Sequence, residues 1–130
     1  MITFNENVLY TKSNEWAEKI NDIIRMGIDD YSQSSLGDIV HVEIAGSGTH
    51  VTAGKSLGSI EATKSVSDIN APVSGVISRV NAEVIKSPSI INIDPFGEGW
   101  IAEIVPDDIS ELNGLMNSSD YKSFIKSFIA

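Results

Sequence analysis

A single lysine, Lys64, lies in the middle of the segment GSIEATKSVSD, residues 58–68, where a purely structural role is hard to find. Apolar and polar residues alternate on both sides of it, a period of two that predicts two strands with one buried face each. The apolar positions are Gly58, Ile60 and Ala62 before the lysine and Ile69, Ala71 and Val73 after it. Lys64 therefore occupies the tip of a predicted hairpin. Its turn, Thr63-Lys64-Ser65, lacks the Gly, Asn or Asp that tight hairpin turns normally contain.

The chemistry open to this lysine follows from its position at an exposed tip. A catalytic lysine must be desolvated so that its pKa falls, and a hairpin tip does not desolvate it. The same position suits covalent attachment of a cofactor, because the amine is accessible to a ligase and the four-carbon stem lengthens a swinging arm. The simpler alternative is a solvated lysine without a function. Local sequence rules tend to be broken at functional sites, so the poor turn favours attachment.

Other residues that could carry chemistry do not form a pattern. His41 and His50 are nine residues apart, and no cysteine or paired carboxylate stands near them at metal-ligand spacing. The serines are not part of a G-x-S-x-G motif. The glycine-rich segment AGSGTHVTAG precedes no helical pattern and matches neither phosphate-binding motif. The residues therefore predict no enzyme active site.

Composition and charge exclude several classes of function. The 130 residues suffice for one domain with one core, and 42% of them are hydrophobic. A formal charge of −9 argues against nucleic acid and against an anionic membrane surface as partners. No cysteine is present to form a disulfide or a thiolate nucleophile. We find no targeting signal at the N-terminus and no apolar run as long as a membrane span, so we expect a cytoplasmic protein.

Strand patterns separated by turn signals dominate most of the chain and indicate a small sandwich or barrel. A hairpin is predicted over Trp16–Lys19 and Ile23–Gly27. A short helix follows in DDYSQSSLG and ends at Gly37. Further strands are predicted in APVSGVISRV, WIAEIV and DIVHVEI, the last with a buried face made of Val40, Val42 and Ile44.

The apolar period changes near the C-terminus, where it predicts helices. The stripe at helical spacing consists of Tyr121, Phe124, Ile125, Phe128 and Ile129. Ser118 or Ser119 can cap this helix. We expect one domain over 1–130, with 107–130 as a helical segment docked on its own barrel; a helix that binds a partner is the alternative.

Five segments, in order and at matching spacing, resemble the motifs of one family, the H proteins of the glycine cleavage system, which are lipoyl carriers. YTKSNEW is similar to the family's Y-S/T-x-x-H-E-W, and GIDDYSQSSLGDIVHVEI to G-I-T-x-x-A-Q-x-x-L-G-D-I/V-V-x-V-x-L. EATKSVSD resembles E-S-V-K-A-x-S-D, which aligns Lys64 with the family's attachment lysine. APVSGVISRVN resembles S-P-V/I-S-G-x-V/I-x-x-V-N, and SPSIINIDPFGEGW resembles P-x-L-I/V-N-x-x-P-x-x-x-G-W. The resemblance covers essentially the whole chain.

The resemblance implies a lipoyl-type barrel-sandwich hybrid, a flattened antiparallel β-barrel with short helices, including one at the C-terminus. It implies that Lys64 carries lipoate in amide linkage, attached by a lipoate ligase or an octanoyltransferase. The arm would take the aminomethyl group of glycine at glycine decarboxylase (the P protein) and present it to an aminomethyltransferase (the T protein). Dihydrolipoyl dehydrogenase (the L protein) would then reoxidise the arm. The chain would catalyse none of these steps and would supply effective concentration by tethering.

The resemblance also implies a cleft that receives the loaded arm, lined by Ser13, Glu15 and Asp68. The amine of the loaded arm is protonated near neutral pH, and carboxylates can hold it and keep water away. Glu61 is implied as part of the surface that the lipoylating enzyme recognises. Without the resemblance, Glu15, Asp68 and Glu61 are most simply ordinary surface acids.

Departures from the family pattern keep alternatives open. Asn14 replaces the His before Glu-Trp, Thr63 and Ser65 replace the residues beside the lysine, and Ser35 replaces a cleft His of some members. These departures leave room for an H-like protein that relays lipoyl or octanoyl groups to other carriers, or that serves a redox or protein-modification system. A biotin carrier or an unmodified structural domain is the third alternative. Biotin carriers usually set the lysine between two methionines, whereas Lys64 stands between Thr63 and Ser65.

Overall fold

The structure, a computed structural model, describes the backbone of residues 1–129 and the side chains of residues 1–127. The side chains of Phe128 and Ile129, which belong to the predicted apolar stripe, and Ala130 lie outside the described residues. The described part of the chain contains nine strands: β1 Leu9–Tyr10, β2 Glu15–Ile20, β3 Ile23–Ile28, β4 Ile39–Ile44, β5 His50–Val51, β6 Ser56–Ala62, β7 Val66–Asn70, β8 Gly75–Val80 and β9 Ala102–Pro106. Its helices are α1 Asp30–Leu36, α2 Ala82–Lys86, α3 Ile90–Ile93, a 3₁₀ helix Ile109–Gly114 and α4 Ser118–Ile129.

The strands form two antiparallel sheets that share one apolar core. The larger sheet has the order β1-β2-β3-β9-β8-β5, and the smaller has the order β4-β6-β7. Buried residues of both sheets belong to one cluster, among them Ile24, Met26, Ile77 and Ile104 of the larger sheet and Val42, Leu57, Ile60 and Ile69 of the smaller. This mainly β architecture, with two sheets that do not close into a barrel and few short helices, confirms the predicted fold class.

The hairpin that carries Lys64 is anchored by buried residues at its base. β6 pairs with β7 in antiparallel register on either side of the lysine. Ile60 and Val73, which the alternation placed in the core, are 1% and 0% exposed. Gly58 allows the close approach of β6 to β4, because a Cβ at this position would collide with the carbonyl oxygen of Glu43. The base of the hairpin is therefore fixed in the core, while its tip projects from it.

The prediction that Val40, Val42 and Ile44 share a buried face is wrong at Val40. Its side chain is 54% exposed, whereas Ile39 is 3% exposed and Val42 is 2% exposed. The pairing of β4 with β6 shifts register between Ile39 and His41. Such a bulge inserts one extra residue and breaks the period of two, so that Ile39 takes the buried position.

The predicted short helix after β3 is present as α1. The Asp29 side chain caps it by accepting a hydrogen bond from the Ser32 N–H at 2.8 Å, and Gly37, at φ 79°, ends it. Asp and Gly are the residue types expected at these two positions, because one accepts from an unpaired N–H and the other tolerates a positive φ.

The C-terminal helices are present as the 3₁₀ helix and α4, but the predicted cap of α4 is wrong. The helix already includes Ser118, and Asn117 precedes it. The Asn117 side chain accepts a hydrogen bond from the Asp120 N–H at 2.8 Å, so Asn117 is the cap rather than Ser118 or Ser119. Tyr121 and Ile125 of α4 are buried against Val8, Tyr10 and Trp16. Within the described residues, no helix is both long and apolar enough to cross a membrane.

Candidate functional site

Hydrogen bonds hold the tip of the Lys64 hairpin, in place of the Gly, Asn or Asp that tight hairpin turns normally contain. Ala62 N–H donates to the Ser65 carbonyl at 2.8 Å and closes the turn. The Thr63 N–H donates to the Asp38 carbonyl oxygen at 3.0 Å, and the Thr63 hydroxyl donates to the same oxygen at 3.4 Å. Apart from glycines, only Asn14 and Asn21 have a positive φ among the described residues, so the tip needs no left-handed residue. Anchoring to Asp38 explains why Thr-Lys-Ser can form this turn.

The Lys64 side chain projects into solvent at this tip. It is exposed, and neither the hydrogen bonds nor the ion pairs of the described residues include its amine. An exposed amine without a partner is not desolvated, which is the condition for modification by another enzyme and not for catalysis.

Ser13 and Glu15 form a direct pair at the start of β2. Glu15 is only 1% exposed. Its Oε1 accepts hydrogen bonds from the Thr11 hydroxyl at 2.6 Å and from the Ser13 hydroxyl at 2.5 Å. Its Oε2 accepts one from the backbone N–H of Asn70 at 3.1 Å. Glu15 is therefore not the ordinary surface acid that the residues alone suggested.

The Glu15 carboxyl has both a raised pKa and spare acceptor capacity. Burial raises its pKa, and the hydrogen bonds from Ser13 and Thr11 oppose this in part. An ionised carboxylate offers about four lone-pair sites, and three are used here. One acceptor site remains on Oε2.

Asp68 and Glu61 lie on the outer face of the smaller sheet. Asp68 on β7 is opposite Ser59, and Glu61 on β6 is opposite Val66. Both carboxylates are exposed, and no described residue forms a hydrogen bond or ion pair with either. Asp68 is two residues from Asn70, about 6.5 Å along the strand, and therefore close to the N–H that donates to Glu15.

The sequence did not point to two groups that hold the Glu15 side chain, Thr11 and the backbone of Asn70. Thr11 belongs to the same YTKSNEW segment as Ser13 and could have been found there, since its hydroxyl donates to Glu15 and accepts from the Glu15 N–H at 3.1 Å. Asn70 left no signal, because it acts through its backbone N–H, which nearly every residue possesses.

A surface cleft of about 750 Å³ opens beside Ser13 and Asn70. Its lining comes from β1, the segment after it, the turns around Ala53 and Pro72, and residues 110–116. Lys64, Glu61, Glu15 and Asp68 are not part of this lining. No group of three or more His, Asp or Glu side chains in the described chain is arranged to hold a metal ion.

A second buried carboxylate belongs to Asp29, whose backbone N–H donates a hydrogen bond to the carbonyl oxygen of Asn14, between Ser13 and Glu15. It is 1% exposed, and its Oδ2 has no hydrogen-bond partner among the described residues. Burial raises its pKa from 3.8 to about 6, opposed by the neighbouring Tyr121 hydroxyl and the Ser32 N–H. The folded protein therefore binds a proton at Asp29 more tightly than the unfolded chain does.

This raised pKa predicts a loss of stability as the pH rises. The contribution of Asp29 to stability is complete below about pH 4 and is lost as the pH rises through about 6, because the charged form must then be buried. Raising the pKa from 3.8 to about 6 corresponds to about 3 kcal/mol. We expect Asp29→Asn, which keeps the helix cap but cannot ionise, to gain about this free energy of unfolding over the native chain between pH 4 and pH 7. Urea unfolding of both proteins at the two pH values measures it, and an equal difference at both values would contradict it.

Three comparisons with known proteins agree on one family. Residues 8–128 match the family model described as glycine cleavage H-protein. The chain is 45% identical over 121 residues to the glycine cleavage system H protein of Coprothermobacter proteolyticus, covering 92% of this chain and 95% of that protein. It is 41% identical over 114 residues to the H protein of Acinetobacter baylyi, covering 88% and 92%. The crystal structure of an H protein from Mycobacterium marinum is similar with a TM-score of 0.86 and 34% identity, over 92% of this chain and 97% of that one.

Proposed function

Because the chain belongs to the glycine cleavage H-protein family, we propose that Lys64 carries the lipoyl group and that its arm moves the aminomethyl group of glycine between enzymes. Family membership makes the chain a lipoyl carrier of the glycine cleavage system, a carrier subunit and not a catalyst. The observation that carries the proposal is the position of Lys64, an exposed amine with no hydrogen-bond or ion-pair partner among the described residues, at the tip of a hairpin whose base is buried.

The hairpin fits lipoate in three respects. The amine is accessible to the lipoate ligase or octanoyltransferase that would acylate it, and the exposed Glu61 carboxylate lies three residues before it for recognition. The tip is held by Thr63 and Asp38, so attachment disturbs no core residue. When attached, lipoate supplies the dithiolane that receives the aminomethyl group and the thiols that are later reoxidised.

Membership of the system implies three partner enzymes. We propose that Lys64 presents its arm in turn to the P protein for loading, to the T protein for transfer, and to the L protein for reoxidation. The acidic chain, with a formal charge of −9, favours encounters with basic patches on other proteins. Tethering on one arm keeps the group at high effective concentration between them.

The length of the arm decides which residues it can reach when it folds back. A lysine side chain extended by lipoate contains about a dozen single bonds and spans roughly 14 Å. At about 3.3 Å per residue, Asp68 is about 13 Å along the strand from Lys64. The end of the arm therefore reaches Asp68.

We propose that Ser13, Glu15 and Asp68, together called the arm site, shelter the loaded arm. The amine on the arm is a cation near neutral pH, and the remaining acceptor on Glu15 Oε2 and the unpaired Asp68 carboxylate can accept hydrogen bonds from it. The Ser13 hydroxyl donates to Glu15 and has free lone pairs for the same amine. Holding the amine in its protonated form ties up the nitrogen lone pair that would otherwise expel the sulfur as a thiolate, and the sheltered position keeps water from the adduct.

Substitution of the two acids tests this part of the proposal. We expect Glu15→Gln to shorten the lifetime of the aminomethyl adduct about tenfold or more, the effect of one hydrogen bond to a charged group. Asp68→Asn should shorten it about two- to fivefold, because an exposed pair contributes less. Lipoylation of Lys64 should be unchanged in both. The experiment loads each protein with glycine and the P protein, removes the P protein, and follows release of ammonia and formaldehyde.

A matched control is available on the same face of the sheet. Glu43 lies in one cross-strand row with Ser59 and Asp68, two strands or about 10 Å from Asp68, and removing its charge tests a general charge effect. We expect Glu43→Gln to release its cargo at the native rate. Equal release by all four proteins would show that the two acids do not shelter the arm, and attachment at Lys64 would then stand alone.

A further inference from the structure

The C-terminal helix reaches the arm site through one hydroxyl group. Tyr121 of α4 is completely buried, and its hydroxyl donates a hydrogen bond to the Asn14 side-chain oxygen at 2.9 Å. Its ring stacks on Tyr10 with the ring centres 4.2 Å apart, and meets the edge of Phe4 at 6.1 Å. These ring contacts fix the place of the hydroxyl, so the bond to Asn14 joins two rigid parts of the fold that are far apart in sequence.

Asn14 is the corner residue between two members of the arm site, Ser13 and Glu15. Its φ is 75°, a left-handed conformation that Asn adopts more readily than most residues. Its carbonyl oxygen accepts a hydrogen bond from the Asp29 N–H at 3.0 Å. Ser13 and Glu15 stand directly before and after it and are hydrogen bonded to each other. The orientation of the Asn14 corner therefore decides where the Ser13 hydroxyl and the Glu15 carboxylate point.

Asp29 competes with Asn14 for the Tyr121 proton. Its side chain lies beside the Tyr121 hydroxyl, and burial together with this carboxylate raises the pKa of Tyr121 far above its usual value. Asp29 Oδ2 is buried and has no hydrogen-bond partner among the described residues, and a tyrosine has a single proton to donate. The other titratable groups around this pair are Asp30 on α1, Tyr10 on β1 and Glu15 on β2.

We propose that Tyr121 is a positioning residue for the arm site, whose hydroxyl holds the Asn14 corner and through it the Ser13–Glu15 pair. The inference rests on the function proposed above. When Asp29 is neutral, its O–H donates to the Tyr121 oxygen and the tyrosine proton stays on Asn14. When Asp29 is charged, its carboxylate is the stronger acceptor and draws the tyrosine proton away, which loosens the corner.

Amide hydrogen exchange in the protein without lipoate tests the corner directly. The reporters are the Asp29 N–H, bonded to the Asn14 carbonyl, and the Glu15 N–H, bonded to the Thr11 hydroxyl. In Tyr121→Phe, which keeps the ring and loses the hydroxyl, both should exchange about three- to tenfold faster, the effect of one neutral hydrogen bond. The control is Tyr10→Phe, which removes an equally buried hydroxyl that bonds to Asn5 instead. It should leave both reporters at the native rate.

A second variant, Asp29→Asn, should slow amide exchange where Tyr121→Phe speeds it, and its effect should depend on pH. Asp29→Asn mimics the neutral acid at every pH, since its amide can donate to the Tyr121 oxygen. We expect its Glu15 N–H to match the native protein at pH 5 and to exchange more slowly at pH 7. Tyr121→Phe should be fast at both values. A merely structural tyrosine would change exchange equally in the Tyr10→Phe and Tyr121→Phe proteins, without this profile, and that result would overturn the inference.

Adduct lifetime connects the corner to function. Tyr121→Phe should shorten the lifetime of the aminomethyl adduct about three- to tenfold, and Tyr10→Phe should not. If Glu15→Gln shortens the lifetime and Tyr121→Phe does not, the positioning role is wrong while the arm site stands. If no variant changes the adduct lifetime while the reporter amides exchange as expected, Ser13, Glu15 and Asp68 do not shelter the arm. The conclusion that the Tyr121 hydroxyl positions Asn14 would then remain.

Discussion

Lys64→Arg protein should receive no lipoyl group at all when it is expressed with an active lipoylating enzyme. Arginine keeps the positive charge and the exposed position, but its guanidinium is not acylated in this way. Because Lys64 has no hydrogen bond or ion pair with any described residue, the substitution should leave the fold unchanged. Intact mass should show the native protein heavier by one lipoyl group and the variant without it. The native protein should also be more acidic, from −9 to −10 in formal charge, because acylation removes one charge.

The control is a lysine in a similar exposed turn. Lys55 is exposed and lies between β5 and β6, away from the hairpin tip. Lys55→Arg should be lipoylated as fully as the native protein. Lipoate on Lys64→Arg protein, or on any other lysine in a peptide map, would show that the attachment residue has been misassigned.

Ile60→Ala should be among the most destabilising single changes, at about 2–5 kcal/mol. Ile60 is 1% exposed and lies in the core cluster that joins the two sheets. Shortening it removes buried methyl groups and leaves a cavity at the base of the Lys64 hairpin, four residues from the tip. Urea unfolding, with the free energy extrapolated to water, measures the loss.

Two controls show whether the loss of stability comes from packing in the core. Ile93→Ala makes the same chemical change at a side chain that is 80% exposed, and Lys64→Ala changes the tip of the same hairpin. Each should change the free energy of unfolding by less than about 0.5 kcal/mol. Equal losses in Ile60→Ala and Lys64→Ala would mean that the hairpin base and its tip have been confused.

Simple alternation predicted much of the fold because most strands have one buried face. It located the β2–β3 hairpin, the strands on both sides of Lys64 and the burial of Ile60 and Val73. It failed at Val40 because a bulge depends on the pairing with another strand, which the local pattern does not contain. The cap of α4 was missed for a smaller reason: the helix begins one residue earlier than the serines suggested, so Asn117 takes the role.

The candidate site was predictable only in part. Lys64 could be singled out from its own neighbours, since a hairpin tip with poor turn residues is visible in eleven letters of sequence. The buried setting of Glu15 was not, because its carboxylate lies against the backbone N–H of Asn70, 55 residues away, and no local pattern contains that contact. The link from Tyr121 to Asn14 spans 107 residues and depends on how α4 docks, which no local pattern contains.

The central claim, that an arm on Lys64 carries the aminomethyl group of glycine, is tested most directly by one mass measurement. Lipoylated protein in its oxidised dithiolane form is incubated with glycine and the P protein, and its intact mass and the mass of the peptide containing Lys64 are recorded. We expect a glycine-dependent gain of one aminomethyl group on the Lys64 peptide, absent from Lys64→Arg protein. A lipoylated Lys64 that gains no mass from glycine but passes its lipoyl or octanoyl group to another carrier would contradict the claim and favour a relay protein.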